Sequence, residues 1–376
     1  MRIRALGVVA VGVAVAMSLA ACSSSKSNNN AGSGGSSGTT ATSSSSGGSV
    51  KGKVGVILPD TQSSARWESF DKPLLTDAFK AAGVEADIQN ALGDKSKMIS
   101  IANSMITSGV SVLAIVNLDS ATGAQIEKTA KAAGVKTIDY DRLTLGGSAD
   151  YYVSFDNTAV GKLQGQGLVD CLTAAGKSNP QIIELNGSPT DNNATLFKEG
   201  YDSVLNPKYS AGWKKVGDQS VPNWDNAQAA TIFEQLLTKN GGKVDGVLAA
   251  NDGLGNAAIT ILKKNNLKVP VTGQDATVGG IQNILSGDQC MTVYKPIKDE
   301  ANGLASLAIS LLKGEAGKTT GTVKDTQGNR DVPSLLLTPV SITKANVKKV
   351  FDDGFVKAAD VCTTAYAAAC KTAGVS

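Results

Sequence analysis

From Lys53 onward, short runs rich in Val and Ile alternate with longer amphipathic stretches. This alternation is typical of β-α-β units, in which a helix connects two parallel strands of one sheet. Among the predicted strands are Lys53–Leu58 and Val135–Asp139, and the predicted helices include Lys95–Ser108 and Ala121–Ala133. The pattern therefore predicts an α/β fold built on doubly wound parallel sheets.

The same alternation continues through the second half of the chain, and two α/β halves of similar size are predicted, with a seam at Tyr152–Asp156. The folded part would span about 325 residues, which is long for one domain and suits two. The later predicted strands are Gln181–Leu185, Lys214–Gln219, Val244–Ala249, Val269–Thr272, Cys290–Tyr294 and one near Leu335–Leu337.

Three of the apolar runs end in polar clusters. These clusters are Tyr140-Asp141-Arg142, Asn251-Asp252-Gly253 and Gln274-Asp275-Ala276. In an open parallel sheet, ligands bind in the crevice beyond the carboxyl ends of the strands. Hydroxyl groups both donate and accept hydrogen bonds, so a set of carboxylate, guanidinium and amide groups suits a polyhydroxyl ligand. The clusters predict a binding cleft for a small polar solute, with a sugar favoured.

The N-terminus has the outline of a secretory signal. Arg2 and Arg4 precede the apolar or small-residue stretch Ala5–Ala21, which ends in Leu19-Ala20-Ala21-Cys22. The cysteine resembles that of a bacterial lipobox, in which Cys22 is lipidated and becomes the new N-terminus. A transmembrane anchor is the alternative, but the stretch is short and rich in Gly and Ala. Residues 1–22 are therefore interpreted as a lipoprotein signal, which places the protein on the extracytoplasmic face of the membrane, held by acyl chains.

Residues 23–50 consist almost entirely of Ser, Gly, Asn, Thr and Ala. Such a composition cannot bury a core, so this segment is predicted to be a flexible tether. The folded part would begin near Lys51.

Four cysteines follow Cys22, namely Cys171, Cys290, Cys362 and Cys370. An even number in an exported chain permits disulfides, but four cysteines allow three connectivities. Cys362 and Cys370 are the simplest local pair, and free buried thiols are the alternative.

The composition argues against several function classes. The chain has no histidine, which removes the commonest general base and metal ligand, and phosphate-binding and dinucleotide-binding glycine motifs are missing. The formal charge is +3 with acids and bases interspersed, so nucleic-acid binding is not indicated. We predict no catalytic residues, no metal and no cofactor, although Asp and Glu alone could support glycoside hydrolysis.

An ordered series of motifs resembles the type I periplasmic solute-binding proteins of sugar ABC transporters, most closely the members that bind D-xylose. The motifs are Ala65-Arg66-Trp67, Asp139-Tyr140-Asp141-Arg142, Tyr152-Val153-Ser154-Phe155-Asp156-Asn157, Gly187-Ser188-Pro189-Thr190-Asp191-Asn192-Asn193-Ala194, Val216-Gly217-Asp218-Gln219, Ala250-Asn251-Asp252, Gly273-Gln274-Asp275-Ala276 and Met291-Thr292-Val293-Tyr294-Lys295-Pro296. The resemblance runs from Lys53 to about Phe355.

The resemblance implies two lobes joined by three crossovers, near Phe155, Lys295 and Thr338. The N-terminal lobe would comprise residues 51–155 and 296–337, and the C-terminal lobe residues 156–295 and 338–361. Residues 362–376 would form a tail without a counterpart in the family. The family also implies a monomer that delivers its ligand to an ABC transporter permease.

The resemblance implies ten ligand-binding residues, and their positions at the ends of strands and helices support the choice. They are Arg66, Trp67, Asp141, Arg142, Asn192, Asn193, Trp224, Asn251, Asp275 and Lys295. The two tryptophans would sandwich a sugar ring, because a flat apolar face covers the C–H face of a pyranose. The lobes would then close on the ligand.

Several of these residues have structural alternatives. Arg66 could form a surface salt bridge, and Asp141 with Arg142 a local ion pair. Asn193 fits the ligand-facing position better than Asn192, and one residue of Asp191–Asn193 could cap a helix. At the next cluster, Asn251 is assigned to the pocket and Asp252 to the cap.

Other readings of the function remain open at this point. The ligand could be another aldose such as glucose, arabinose or galactose, and the protein could deliver sugar to a membrane receptor. An extracellular carbohydrate-active enzyme is a rival of another class.

Overall fold

The computed structural model describes residues 51–375. The predicted signal segment, the predicted lipidation site Cys22 and the predicted tether lie outside the described residues. Within residues 51–375, no helix is both long and apolar enough to cross a membrane.

Twelve strands and twelve α-helices are present in the described part of the chain. The strands are β1 (Lys53–Leu58), β2 (Glu85–Asn90), β3 (Val112–Ile115), β4 (Lys136–Tyr140), β5 (Tyr151–Phe155), β6 (Gln181–Asn186), β7 (Lys214–Ser220), β8 (Gly246–Ala249), β9 (Met291–Tyr294), β10 (Gly321–Asp325), β11 (Arg330–Leu337) and β12 (Val340–Thr343). The helices are α1 (Lys72–Ala81), α2 (Lys95–Thr107), α3 (Ser120–Ala132), α4 (Asn157–Ala174), α5 (Asn192–Ser210), α6 (Asn226–Lys239), α7 (Asp252–Lys264), α8 (Val278–Ser286), α9 (Ile297–Leu312), α10 (Lys348–Asp352), α11 (Ala358–Val361) and α12 (Ala367–Thr372).

Seven strands form the first sheet, in the order β10-β11-β5-β4-β3-β1-β2. All neighbours are parallel except β10 and β11, which form an antiparallel hairpin. Apolar side chains pack on both faces of this sheet, and α9 contributes Leu304 and Leu307 to one of them. We call this sheet and its helices α1–α3 and α9 the N-terminal lobe.

The second group of strands is parallel in its centre, in the order β7-β6-β8, and an antiparallel pair of β9 with β12 lies beyond it. The predicted strand Val269–Thr272 is wrong in extent, because only Val271 forms a bridge, to Val247. These strands and the remaining helices form the C-terminal lobe. The predicted α/β fold with two parallel-sheet lobes is confirmed.

The chain passes between the two lobes three times. The passages follow β5 at Asp156, β9 at Lys295 and Pro296, and β11 at Thr338 and Pro339. Because all three connections are short, the lobes share a narrow hinge, and the carboxyl ends of the strands of both sheets meet there.

Helices α4 and α5 approach closely enough to require glycine. A Cβ at Gly161 would collide with the carbonyl of Phe197, and one at Gly200 with the carbonyl of Thr158. This contact fixes the first turn of α5, which carries Asn193 toward the hinge.

Two disulfides are present in the C-terminal lobe. Cys171 in α4 is joined to Cys290 before β9, with Cα atoms 6.5 Å apart, and Cys362 to Cys370, with Cα atoms 5.8 Å apart. The sequence had left the connectivity open. The first bridge ties α4 to the segment just before β9, and the second closes a short loop near residue 370.

The last residues of the chain belong to the core of the C-terminal lobe. Val361, Cys370 and Val375 are buried in one apolar cluster together with Ile281 and Ile284 of α8. Phe355 also stacks on Phe70 of the N-terminal lobe, with ring centroids 4.7 Å apart. Residues 362–375, part of the predicted tail, therefore form an appendage packed on the C-terminal lobe.

Two carboxyl groups are buried together below the loop that follows β4. Asp139 accepts hydrogen bonds from the amide and hydroxyl of Thr144, both at 2.7 Å, and Glu127 of α3 accepts one from the amide of Ser148. Burial raises the pKa of both carboxyls, and the nearby Glu127 raises the pKa of Asp139 further. The buried pair therefore binds protons more readily than the same groups do in the unfolded chain, and its hydrogen bonds hold this loop.

We expect this pair to make the protein less stable as the pH rises. Because both native pKa values lie above those of the unfolded chain, the native state binds more protons, and its stability falls from about pH 4 upward by at most about 1.4 kcal/mol per pH unit for each proton. Asp139→Asn mimics the protonated side chain, so the variant should lose less stability between about pH 5 and pH 9. Urea unfolding at both pH values measures this, with the exposed Asp331→Asn as control. Equal losses in the wild type and Asp139→Asn would contradict it.

Candidate functional site

A buried cavity lies at the hinge, between the two lobes. Its volume is about 30 Å³, and a wider outer chamber of about 400 Å³ lies beside it. Four residues line both spaces: Ser63, Arg142, Asp191 and Trp224. The inner cavity has about the volume of one water molecule in the liquid, so a sugar ring requires the lobes to move apart from the arrangement seen here. The inner walls also contain Ser64, Arg66, Trp67, Asp141, Asn193, Phe197, Asn251, Gln274, Asp275 and Lys295.

Arg66 is held by three carboxyl groups. It stands at the start of a π-helical turn, Trp67–Asp71, which precedes α1. Its Nε and Nη2 donate to Asp71 at 2.8 and 2.7 Å, its Nη1 to Asp141 at 2.7 Å and its Nη2 to Glu300 at 2.5 Å. A guanidinium has five N–H donors, so one N–H on Nη1 remains for a ligand. Arg66 therefore fixes Asp141 from one side while Asp71 and Glu300 hold its own position.

The two acids beside Arg66 differ in their ionisation. Burial opposes the charge on Asp141, yet the Arg66 and Lys295 cations hold the pKa of that carboxyl below its usual value. Burial raises the pKa of Glu300 to about 8, although Arg66 opposes this. Asp141 is thus an ionised acceptor, whereas Glu300 carries a proton near neutral pH.

Polar contacts from opposite lobes meet across the cavity. Arg142 Nε of the N-terminal lobe lies 3.0 Å from Asp191 Oδ2 of the C-terminal lobe. Asn193 Nδ2 donates to the backbone carbonyl of Asp141 at 2.9 Å. Lys295 Nζ lies 3.5 Å from Asp275 and 4.0 Å from Asp141, in both cases measured to a carboxylate oxygen. These side chains can hold the lobes together around a ligand.

Both tryptophans are buried in the cavity walls, with Trp67 exposed to 2% and Trp224 to 5%. The indole N–H of Trp67 donates to Ser63 Oγ, and that of Trp224 to Asp191 Oδ2, both at 3.1 Å. The rings are thus fixed in orientation by hydrogen bonds at their edges, and the guanidinium carbons of Arg66 and Arg142 lie 4.5 and 5.6 Å from the centroid of the Trp67 ring.

Hydrogen bonds to Asp252 connect the polar cluster that follows β8 with the segment that leads into β9. Its carboxylate accepts from the amide of Thr277, from Gln289 Nε2 and from Thr292 Oγ1, each at 2.8 Å. Burial raises the pKa of Asp252 to about 7. Asp275 has a positive φ of 95°, which is uncommon for a residue other than glycine.

A family model described as the periplasmic binding protein domain matches residues 54–316. The chain belongs to this family. It is 38% identical over 313 residues to the D-xylose-binding periplasmic protein of Escherichia coli (strain K12), covering 82% of this chain and 92% of that protein. It is 36% identical over 327 residues to the multiple sugar-binding periplasmic receptor ChvE of Rhizobium radiobacter, covering 82% and 92%.

A solved structure has the same fold. The carbohydrate transporter solute-binding protein of Chloroflexus aurantiacus, in complex with D-glucose, is 32% identical, with a TM-score of 0.74, and the match covers 82% of this chain and 98% of that one. The type I periplasmic binding protein fold is therefore confirmed, as is the resemblance seen in the sequence.

Nine of the ten ligand-binding residues predicted for this periplasmic binding protein line the inner cavity. Asn192 does not: it is half-buried in the first turn of α5, one residue before Asn193. Their contact with a ligand stays a prediction.

The helix caps differ from the prediction at one cluster. Asn251 is the N-cap of α7, because its side chain accepts from the amide of Leu254 at 2.9 Å, and Asp252 lies inside the helix. Asn251 therefore caps the helix and also lines the cavity, whereas the sequence assigned the cap to Asp252 and the pocket to Asn251. At the other cluster Asp191 caps α5 and also contacts Arg142 and Trp224.

Five residues that line the inner cavity were not predicted to bind a ligand: Ser63, Ser64, Asp191, Phe197 and Gln274. Asp71 and Glu300, which hold Arg66, were not predicted either. Asp191 and Gln274 lie within two of the sequence motifs, so the sequence indicated their positions in the fold but not their contacts. Glu300 is 234 residues from Arg66, and no local pattern connects the two.

Proposed function

We propose that this protein captures a monosaccharide, with D-xylose favoured, and delivers it to an ABC transporter permease. The observation that carries the proposal is the convergence of two tryptophans, ionised carboxylates, cations and amides from both lobes on one buried cavity. Aromatic faces suit the C–H groups of a sugar, and the polar side chains suit its hydroxyls. No bond of the ligand need be broken for this function.

The choice of ligand is supported by the relatives. The protein of Escherichia coli is named for D-xylose, and the receptor of Rhizobium radiobacter for several sugars. Leaving a buried hydroxyl or site group unpaired costs about 1–3 kcal/mol, and such penalties would let the site reject the wrong epimer.

Calorimetry of the purified protein against D-xylose, D-glucose, L-arabinose, D-galactose and a disaccharide tests the proposal. We expect a 1:1 complex with D-xylose, of micromolar or tighter affinity, and little or no heat with the disaccharide. Tighter binding of another aldose would keep the function and change the ligand. No heat with any aldopentose or aldohexose would contradict the function itself, and product formation from a glycoside would favour an enzyme.

We further propose that acyl chains on Cys22 hold the protein at the extracytoplasmic face of the cell membrane. Cys22→Ser should leave the protein unlipidated, because acylation requires the thiol. Membrane fractionation and intact mass of the wild type and variant measure this, and Ser23→Ala is a matched control that keeps the thiol. A lipid-dependent mass in the Cys22→Ser variant would show the assignment to be wrong.

A further inference from the structure

Gln274 presents an unpaired hydrogen-bond acceptor in the wall of the inner cavity. The residue is 3% exposed and lies directly before Asp275. Its Nε2 approaches the carbonyl oxygen of Ala250 at 3.4 Å, whereas its Oε1 is buried and has no hydrogen-bond partner among the described residues. A buried acceptor without a hydrogen-bond partner raises the free energy of the folded state, so a ligand that donates a hydrogen bond to this oxygen would be bound more tightly.

The direction of the Gln274 amide follows from its neighbour. If the amide were turned over, Oε1 would face the carbonyl oxygen of Ala250, and two acceptors would repel each other. The NH₂ group therefore belongs at Ala250, which directs Oε1 away from that carbonyl.

The backbone beneath Gln274 is fixed on both sides. The carbonyl of Gln274 accepts from the amide of Asp252 at 2.9 Å, and the amide of Asp275 donates to the carbonyl of Val293 at 2.8 Å. The side chain thus starts from a rigid support, which is what precise recognition of a ligand atom requires.

The charged groups of the cavity differ from Gln274 in being paired within the protein. Arg66 is bound by acids, Asp191 by Arg142 and Trp224, and Lys295 lies beside Asp275. Gln274 Oε1 is neutral and free, so it gains a partner only when a donor enters the cavity.

We propose that Gln274 is a specificity-determining residue that accepts a hydrogen bond from one particular hydroxyl of the sugar through Oε1. This inference rests on the proposed function and adds to it a residue and its role. Because a glutamine oxygen accepts and does not donate, it distinguishes a hydroxyl from a hydrogen, a methoxy group or a carbonyl at that position.

Gln164 provides a matched control. It is a second buried glutamine whose Nε2 also donates to the carbonyl of Ala250, at 2.9 Å, and whose Oε1 likewise has no partner within residues 51–375. It does not line the inner cavity. The two residues therefore differ mainly in access to a ligand.

The test is calorimetry of the wild type, Gln274→Met and Gln164→Met with D-xylose and its four monodeoxy analogues, with circular dichroism as a check on folding. For one analogue, we expect the wild type and Gln164→Met to lose about tenfold in affinity relative to D-xylose, and Gln274→Met to lose little. The other analogues should weaken binding by the same factor in all three proteins.

The other possible results of this experiment contradict either the role of Gln274 or the favoured ligand. If the wild type binds D-xylose and the pattern of losses is the same in Gln274→Met, the inference is overturned and the proposed function stands. A changed pattern in Gln164→Met as well would overturn it too, because the effect would then come from the packing of the lobe. If the wild type gives no heat with D-xylose, the favoured ligand and the inference fail together. If Gln274→Met does not fold, Gln274→Leu replaces it under the same criteria.

Discussion

Asp141→Ala should lower the affinity for D-xylose by about a hundredfold or more. Hydrogen bonds to a charged group contribute about 1.5–3 kcal/mol, and the substitution also leaves Arg66 Nη1 and Lys295 facing each other without their shared carboxylate. Asp275→Ala removes a carboxylate with one cationic neighbour, so we expect a smaller loss of about ten- to a hundredfold. Titration of sugar followed by tryptophan fluorescence measures both.

The matched control for these variants is Asp331→Ala, in which the lost carboxylate is exposed and pairs weakly with Lys324 at 3.9 Å. It should bind as the wild type does. Near-wild-type affinity in both Asp141→Ala and Asp275→Ala would remove this cavity as the binding site. A loss of circular dichroism signal in Asp141→Ala would instead assign the residue a structural role.

Removing the disulfide between Cys171 and Cys290 should have the largest effect on stability. The two residues are 119 positions apart, and on the chain-entropy model a loop of this length stabilises the folded state by about 4 to 5 kcal/mol. The double variant Cys171→Ala/Cys290→Ala should therefore unfold at a much lower guanidinium concentration. Its sugar affinity should be unchanged, because neither cysteine lines the cavity.

The second disulfide provides the comparison. Cys362 and Cys370 are 8 positions apart, so the same model gives only about 2 to 3 kcal/mol. Under reducing conditions the wild type and both double variants should unfold alike. Thiol titration of the unreduced, unfolded wild type that found all four of these cysteines free would contradict both bridges.

The sequence was most informative where neighbouring residues act together. The clusters around Asp141, Asn251 and Asp275 could be assigned to a binding cleft because ligands bind beyond the carboxyl ends of parallel strands, although the first cluster lies in one lobe and the other two in the second. It was least informative for contacts between distant segments: Glu300 reaches Arg66 through the return of the chain into α9, and no periodicity encodes that return.

Two local errors have physical causes as well. Val269–Thr272 reads as a strand by composition, but Val271 alone pairs with a neighbour. The cap of α7 was assigned to Asp252 because Asn251 was placed in the pocket, and Asn and Asp are both good caps. What decides between them is the extended backbone of Asn251, with φ −149° and ψ 173°, which a sequence pattern does not report.

The buried C-terminal appendage has a practical consequence for anyone who wishes to turn this protein into a fluorescent reporter of its ligand. Val375 lies in the core, so a reporter joined directly after it would be attached to a buried side chain of the cluster that contains Cys370. The exposed residues around Gly314, between α9 and β10, offer a better insertion point. The Phe70–Phe355 stack joins the two lobes, so a probe attached beside it would sense their relative movement.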